Sequence, residues 1–127
     1  MAHTKILLFV ESRYKVNRKR IKQAVLQILA GQGLVQETEI SIAIVGDRKM
    51  RELNKKYRNL DKTSNVLSFP ITEGEDMRLP REVLRLGDVV ISYPEVIREA
   101  AAENMLVDDR IDELVSHGVL HLLGIHH

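Results

Sequence analysis

Two periods of hydrophobicity alternate along this chain, one typical of strands and one typical of helices. Short apolar or alternating segments predict four β-strands, at residues 5–12, 38–46, 66–70 and 84–92. Apolar positions spaced by three and four residues predict four α-helices. The first is capped by Asn17 and ends at Gly31, and the second covers residues 48–58 with Asp47 as its N-cap. The third begins in the capping box at 92–95 and runs through residue 104, and the last begins at Asp108 or Asp109. Residues 59–65 break the periodicity and residues 71–83 are polar with Gly74 and Pro80, so both are predicted loops, the second exposed and mobile.

This order of elements predicts an α+β (mixed α/β) fold, in which helices cover one small, mostly mixed sheet of about four strands. A length of 127 residues suits one hydrophobic core, so we expect a single domain over residues 1–127. No apolar run approaches the roughly 20 residues of a membrane helix, and the N-terminus predicts a first strand rather than a signal peptide. We therefore expect a cytoplasmic protein without membrane association.

The formal net charge of +1 conceals an uneven distribution of charge. Residues 1–65 carry 14 Lys and Arg against 6 Asp and Glu, whereas residues 66–127 carry 5 against 12. This asymmetry favours a basic face that binds a polyanion, although solvated basic helix faces would give the same pattern. The chain has no cysteine, so any metal ion must be held by His, Asp or Glu.

Four of the five histidines lie in the last eleven residues. His117 and His121 are i, i+4 neighbours on the last predicted helix, so both imidazoles can face one ion. Gly124 stands where a helix ends in a left-handed residue, which would let His127 turn back toward the same point. The spacing H-x3-H-x2-G-x2-H matches the metzincin zinc helix and turn, and it predicts one Zn²⁺ on three imidazoles with an open fourth position in a zincin-like C-terminal helix.

Gly118 follows the first histidine, where those proteases carry a glutamate as general base. The metal ligands of a peptidase are thus present without its general base. Attack by a metal-activated water beside a cation suits hydrolysis of a phosphodiester better than hydrolysis of an amide. A peptidase or amidase is the less favoured enzymatic alternative. The final His126-His127 pair also fits the start of an expression tag, and the role of His126 is open.

Arg58 ends the basic second helix and precedes a loop that carries Lys62, Ser64 and Asn65. A planar, permanently charged guanidinium at this place can bind a phosphate bidentately. The same arginine can also serve only to complement the dipole at the helix C-terminus. Both interpretations are open on the residues alone.

The few aromatic residues give little sign of a base-stacking surface. Tyr57, Phe69 and Tyr93 are scattered, and each is predicted to be a core residue. Asp88 is expected to be a turn or capping residue rather than a catalytic one.

Three motifs resemble those of the YbeY family of rRNA maturation factors. ELVSHGVLHLLGIHH (113–127) is similar to the family signature H-G-x-L-H-L-x-G-x-D-H. LNKKYRNLDKTSNVLSFP (53–70) and LGDVVIS (86–92) resemble two further family blocks, in the same order. The resemblance covers about three quarters of the chain, which makes it specific.

The resemblance implies a zinc-dependent, single-strand-specific endoribonuclease of the bacterial cytoplasm, acting in small-subunit rRNA 3′-end maturation and ribosome quality control. It also implies His117, His121 and His127 as metal ligands and Arg58 as a functionally important residue. This chain departs from the family pattern at two places. His126 replaces an aspartate, and Lys62-Thr63-Ser64 lies about where the family has Lys-Pro-Thr. The polar tail common in the family does not follow His127 in this sequence, so the question of a truncated C-terminus is open.

Residues and resemblance together predict a metal-dependent phosphodiesterase that acts on single-stranded RNA. Zn²⁺ on the three histidines would activate water, and Arg58, the expected catalytic residue, would bind the scissile phosphate together with Lys62, Ser64 and Asn65. The expected partners are rRNA and the small ribosomal subunit. The alternative is a non-catalytic rRNA-binding assembly factor in which the metal only fastens the C-terminus.

Overall fold

The computed structural model of the protein describes residues 3–33, 37–71 and 83–125. Within these segments the order of elements is β, α, β, α, β, β, α, α, which confirms the predicted order and the α+β class. The elements are β1 Thr4–Val10, α1 Arg18–Ala30, β2 Glu37–Val45, α2 Asp47–Arg58, β3 Val66–Pro70, β4 Val83–Ser92, α3 Tyr93–Glu103 and α4 Val107–Leu122. The predicted loop at 71–83 falls almost wholly on residues 72–82, which lie outside the described residues.

The four strands form one mixed sheet in the order β1-β2-β4-β3. β1 and β2 are parallel, as are β2 and β4, and these pairings need crossover connections that place α1 and α2 beside the sheet. β3 runs antiparallel to β4 at the edge, with Ser68 opposite Val89. The predicted mixed sheet is confirmed.

One face of the sheet carries the main hydrophobic core. Ile40, Ile42 and Ile44 of β2 alternate inward and are at most 1% exposed, as their period of two predicts. They pack with the apolar stripes of α1, α3 and α4. The fully buried members of this core from the helices include Val25, Val96, Val115 and Val119.

The opposite face of the sheet is only partly covered. Its smaller cluster contains Val45, Met50, Leu67 and Val90, and among the described helices only α2 contributes to it. Leu7 and Phe9 of β1, on this same face, are 44% and 59% exposed. The part of this face formed by β1, beside α2, is therefore exposed to solvent.

Two predicted helix starts are wrong by one or two residues. Gly46 is the N-cap of α2 and Asp47 is its first residue, because the Asp47 carboxylate bonds to Arg98 and Ser92 instead of to its own helix. α4 begins at Val107, with Asp108 and Asp109 in its first turn, where the helix dipole favours acidic groups.

The predicted caps of α1 and α3 are confirmed. Asn17 accepts a hydrogen bond from the backbone N–H of Arg20, and Ser92 accepts one from that of Glu95. None of the helices in the three described segments is long and apolar enough to cross a membrane.

Candidate functional site

The C-terminal half of α4 brings two histidines to one cleft. The inward stripe of this helix is apolar and includes Leu114, Val115 and Leu122, which fixes the helix against the core. His117 and His121 lie one turn apart and both line the same cleft, His117 exposed and His121 half-buried. α4 thus presents two imidazoles, as the i, i+4 spacing predicts.

α4 ends in the predicted left-handed glycine. Gly124 has φ +81°, and its N–H donates to the carbonyl of His121 while the N–H of Ile125 donates to that of Leu120. This pair of bonds is a Schellman motif, which reverses the chain direction. His126 and His127 lie outside the described residues, so the third ligand stays a prediction.

The donor set in the described segments is therefore two histidines, which is short of a complete metal site. No three His, Cys, Asp or Glu side chains come together among the residues that the structure describes. A three-histidine site consequently depends on His127. The two imidazoles that line the cleft fit a borderline metal ion such as Zn²⁺, for which nitrogen ligands are suited.

Gly118 packs directly against the sheet. A Cβ built on it would lie 2.5 Å from Cγ1 of Val89 and 3.3 Å from Oγ of Ser68. Ser68 also donates a hydrogen bond to the Gly118 carbonyl at 3.4 Å. Position 118 therefore points into the core, and the glutamate base of a zinc peptidase has no room there.

The histidine cleft has three walls from distant parts of the sequence. The end of α2 contributes Tyr57 and Arg58, β3 contributes residues 66–70, and α4 contributes His117 and His121. Its volume is about 570 Å³. The structure thus brings the predicted arginine and two of the predicted histidines to one cavity.

Arg58 is exposed at the last position of α2, before the left-handed Asn59. Several other arginines are held by carboxylates, for example Arg98 by Asp47 and Arg110 by Glu99. None of the carboxylates in residues 3–33, 37–71 and 83–125 pairs with Arg58. Its positive charge is therefore available to an anionic ligand from the described side of the cleft.

Asn54, one turn before Arg58, organises the loop that follows α2. It is fully buried, and its Nδ2 donates to the carbonyl of Lys62 at 2.8 Å and to Oγ of Ser64 at 2.6 Å. Its backbone carbonyl accepts from the N–H of Asn59 and of Leu60. The sequence interpretation missed this residue, which holds the end of α2 and the loop together.

The other three candidate RNA-binding residues lie in this loop. Ser64 is engaged by Asn54, and the Asn65 amide donates to the Glu99 carboxylate at 3.2 Å. Lys62 has an exposed side chain, while its carbonyl is held by Asn54. None of the three lines the histidine cleft as described, so their RNA-binding role stays a prediction.

The prediction that Tyr57 belongs to the core is wrong. Tyr57 is 58% exposed, and its ring contacts that of Phe69 with centroids 5.0 Å apart. It lies on the last turn of α2, where the sheet face is still open. Tyr93 is half-buried and stacks on Tyr14, with centroids 4.5 Å apart, as a packing role predicts.

The expectation that Asp88 is a turn or capping residue is also wrong. Asp88 lies within β4, between Ser41 of β2 and Phe69 of β3. It is half-buried, on the sheet face that α2 covers in part.

The surface that leads to the cleft along α2 is basic. The helix has two acidic residues, Asp47 and Glu52, against six basic ones. Two ion pairs reduce this charge only weakly, Lys49 with Glu52 at 3.7 Å and Arg51 with Asp61 at 4.0 Å, because all four groups are more than half exposed. The six basic residues are Arg48, Lys49, Arg51, Lys55, Lys56 and Arg58.

Comparisons with known proteins agree on one family. The profile of the family described as Endoribonuclease YbeY matches residues 9–127. The chain is 35% identical to the Endoribonuclease YbeY of Dehalococcoides mccartyi, over 98% of this chain and 82% of that protein. It is 36% identical to the Endoribonuclease YbeY of Acinetobacter baumannii, over 94% of this chain and 75% of that protein.

The solution structure of TM1509 from Thermotoga maritima has the same fold. The two structures superimpose with a TM-score of 0.63 over 96% of this chain and 74% of that one, at 23% sequence identity. This likeness concerns the fold, whereas the sequence matches extend across the histidine helix and the Arg58 segment. The chain belongs to the endoribonuclease YbeY family.

Proposed function

We propose that this protein is a zinc-dependent endoribonuclease that cuts single-stranded RNA in the cleft between α2, β3 and α4. Membership of the endoribonuclease YbeY family makes the protein a nuclease that acts on RNA phosphodiester bonds. The proposal adds the metal, the residues and the form of the substrate. It is carried by one observation, the meeting of His117, His121 and Arg58 in a single cavity.

The proposed zinc ligands are His117, His121 and His127. The first two line the cleft from successive turns of α4, and the Schellman motif at Gly124 turns the chain three residues before the third. With no cysteine in the chain, three imidazoles form a ligand set that suits Zn²⁺ and leaves one coordination position open. An ion held by these residues would supply Lewis-acid chemistry to a water molecule and to a phosphoryl oxygen.

Arg58 has the complementary task of binding the scissile phosphate. A guanidinium donates two parallel hydrogen bonds to phosphate oxygens and stays charged at every physiological pH. Developing negative charge on the phosphate is then stabilised by a fixed positive group. Asn54 supports this role, since its bonds to the following loop hold the end of α2 in place.

The size of the cleft supports a single-stranded substrate. A volume of about 570 Å³ lies in the range of small-ligand pockets, which suits a few unpaired nucleotides better than a double helix. Either water or the adjacent ribose 2′-hydroxyl can serve as the nucleophile. The RNA ends distinguish the two, since attack by the 2′-hydroxyl gives a 2′,3′-cyclic phosphate and attack by water does not.

We also propose a cytoplasmic role on rRNA of the small ribosomal subunit, at its 3′ end. This part of the proposal is supported by the three sequence motifs at residues 53–70, 86–92 and 113–127. The basic surface of α2 fits a polyanionic partner of this kind.

The test combines metal analysis with RNA cleavage. Zinc-loaded protein is incubated with a 5′-labelled unstructured RNA, and zinc per chain is measured by mass spectrometry. Replacing His117, His121 or His127 by alanine should lower the zinc content and reduce cleavage by about 100-fold or more. His3→Ala is the matched control, because His3 is an exposed histidine immediately before β1 and its replacement should leave both quantities unchanged.

Full cleavage by His117→Ala and His121→Ala would contradict the proposed site. Casein incubated with the same preparation should remain intact, since position 118 cannot accommodate the general base of a peptidase. If casein is degraded, and this degradation is lost in the His117→Ala and His121→Ala variants, a metallopeptidase is favoured instead.

A further inference from the structure

A second groove lies on the sheet face that α2 covers only in part. Two rows of side chains cross this face, Leu7-Ser41-Asp88-Phe69 and Phe9-Ala43-Val90-Leu67. The side chains of Ser41 and Ala43 are small, which leaves a depression over β2. α2 supplies the other wall through Lys49, Leu53 and Tyr57, spaced four residues apart, and the groove has a volume of about 530 Å³.

This groove adjoins the histidine cleft. Tyr57 and Phe69 line both cavities, and their rings touch at a centroid distance of 5.0 Å. Tyr57 is 58% exposed, although burial of an aromatic face is favourable. The Lys56 ammonium lies 5.1 Å from the ring centroid, on an exposed, flexible side chain that can move aside for a ligand. A ligand that leaves the cleft beside Arg58 therefore meets this aromatic pair before it enters the groove.

The two cavities differ in charge. The cleft holds Arg58 and two histidines, whereas the groove is lined mainly by apolar side chains and contains two carboxylates, Glu11 and Asp88, against one ammonium group. That group belongs to Lys49, which already pairs with Glu52 at 3.7 Å. Carboxylates repel phosphate groups, so the groove does not suit the backbone of a nucleic acid. A flat, uncharged ligand that carries N–H donors fits it better.

Asp88 is the polar group best placed to recognise such a ligand. Within the described residues its carboxylate has no hydrogen bond or ion pair. Glu11, in contrast, accepts from the N–H of Gly46 and lies 3.8 Å from Arg13. Asp88 thus offers acceptor oxygens inside an otherwise largely apolar groove.

We propose that this groove is a nucleobase subsite for the RNA substrate. The base of a nucleotide next to the scissile phosphate stacks on Tyr57 and donates a hydrogen bond from its exocyclic amine to Asp88. Adenine, cytosine and guanine carry such an amine, whereas uracil has none, and its N3–H donor lies between two carbonyl oxygens that a carboxylate repels. The subsite therefore selects against uracil at one position near the cut, and this inference rests on the proposed function.

The stacking part of the proposal is tested with Tyr57 variants of the zinc-loaded protein. Tyr57→Ala should raise the KM for a single-stranded RNA by about 5- to 100-fold, the range expected for loss of one base stack, and should change kcat less. Tyr57→Phe keeps the ring and should stay close to the unmodified protein. Leu106→Ala is the matched control, because Leu106 is 70% exposed at the opposite end of α4 from the histidines.

The recognition part is tested by sequencing the products of a randomised single-stranded RNA pool. The unmodified protein should avoid uracil at one fixed position relative to the cut, and Asp88→Asn should weaken this discrimination by about fivefold or more, because an amide can donate to a uracil carbonyl. Asp61→Asn removes an exposed carboxylate outside the groove and should leave the base preference intact.

The outcomes separate this proposal from the site proposal. The subsite proposal alone is overturned if cleavage depends on His117 while Tyr57→Ala leaves KM unchanged and Asp88→Asn leaves the base preference unchanged. The groove would then bind another ligand, such as a protein segment. Cleavage that survives loss of the histidines overturns the site proposal instead. If RNA is bound but not cut, fluorescence anisotropy with the same variants gives the same decision on the subsite.

Discussion

Gly118 of α4 lies so close to Val89 of β4 that a Cβ at position 118 would approach Cγ1 of Val89 to 2.5 Å. Because glycine has no side chain, α4 can pack closely against the sheet at this position. His117, exposed, and His121, half-buried, lie on either side of this contact along the helix and line the cleft. The glycine that distinguishes this motif from a peptidase motif is therefore a packing residue.

Gly118→Ala is expected to destabilise the protein. In a free helix the change would stabilise by about 0.5–1 kcal/mol, but overlap with a branched side chain in a packed core costs about 1–3 kcal/mol, so a net loss should appear in urea unfolding. Gly31→Ala is the matched control, since its Cβ would meet only the Ile28 carbonyl, at 3.5 Å. A Gly118→Ala protein as stable as the original would contradict the close contact.

The helices and strands were predictable because their signals are local. The stripe of Ile21, Val25 and Leu29 on α1 and the alternation on β2 are each visible within a dozen residues. The sheet order was not predictable, because β2 pairs with β4 across the whole of α2 and β3. No local pattern encodes that pairing.

The candidate site shows the same division between local and long-range information. The spacing of His117 and His121 is fixed within one helix, so their common face followed from the sequence alone. Their meeting with Arg58 depends on the sheet order, and so does the exposure of Tyr57. Asn54 had a usable signal, since it lies four residues after the buried Met50 on the inward stripe of α2.

Asn54→Ala is expected to lower the free energy of unfolding by about 1–3 kcal/mol. The substitution removes the donor shared by the Lys62 carbonyl and Ser64, and it leaves space in a buried position. Lys55→Ala, at the exposed neighbouring position, should change stability by about 0.5 kcal/mol or less. Equal stability of the two variants in urea titrations would show that the bonds of Asn54 do not hold the loop.

Asp47 should make stability depend on pH. Burial raises the pKa of this carboxyl, but hydrogen bonds from Arg98 and Ser92 outweigh burial and hold the pKa below its ordinary value. A carboxyl with a lowered pKa stabilises the fold above its unfolded pKa of 3.8, and this stabilisation is lost as the pH falls through the folded pKa. Asp47→Asn should therefore cost about 1 kcal/mol or less near pH 7, because the partly exposed ion pair is screened.

The measurement is urea unfolding of both proteins from neutral pH to below the unfolded pKa of Asp47. The difference in unfolding free energy should shrink steadily in the acid range, because the protonated carboxyl no longer attracts Arg98. A difference that stays constant across this range would assign the effect of the substitution to lost packing instead.

Arg58→Lys is expected to reduce RNA cleavage by about tenfold or more while zinc content stays unchanged. Lysine keeps the charge but cannot form the two parallel bonds of a guanidinium with phosphate oxygens. Arg51→Lys is the matched control at another exposed position of α2, since Arg51 pairs weakly with Asp61 and does not line the cleft. Full activity of Arg58→Lys would reduce Arg58 to a general source of positive charge.

Gly124→Ala is expected to weaken zinc binding through the turn before His127. Gly124 and Gly33 both have positive φ, +81° and +65°, and a Cβ at either would meet no atom within 4 Å. Alanine in a left-handed conformation should therefore destabilise both positions alike, by about 1–2 kcal/mol. Only Gly124 precedes a proposed ligand, so competition with a zinc chelator should show lower zinc affinity for Gly124→Ala than for Gly33→Ala. Equal affinities would mean that the turn at Gly124 does not bring His127 to the metal.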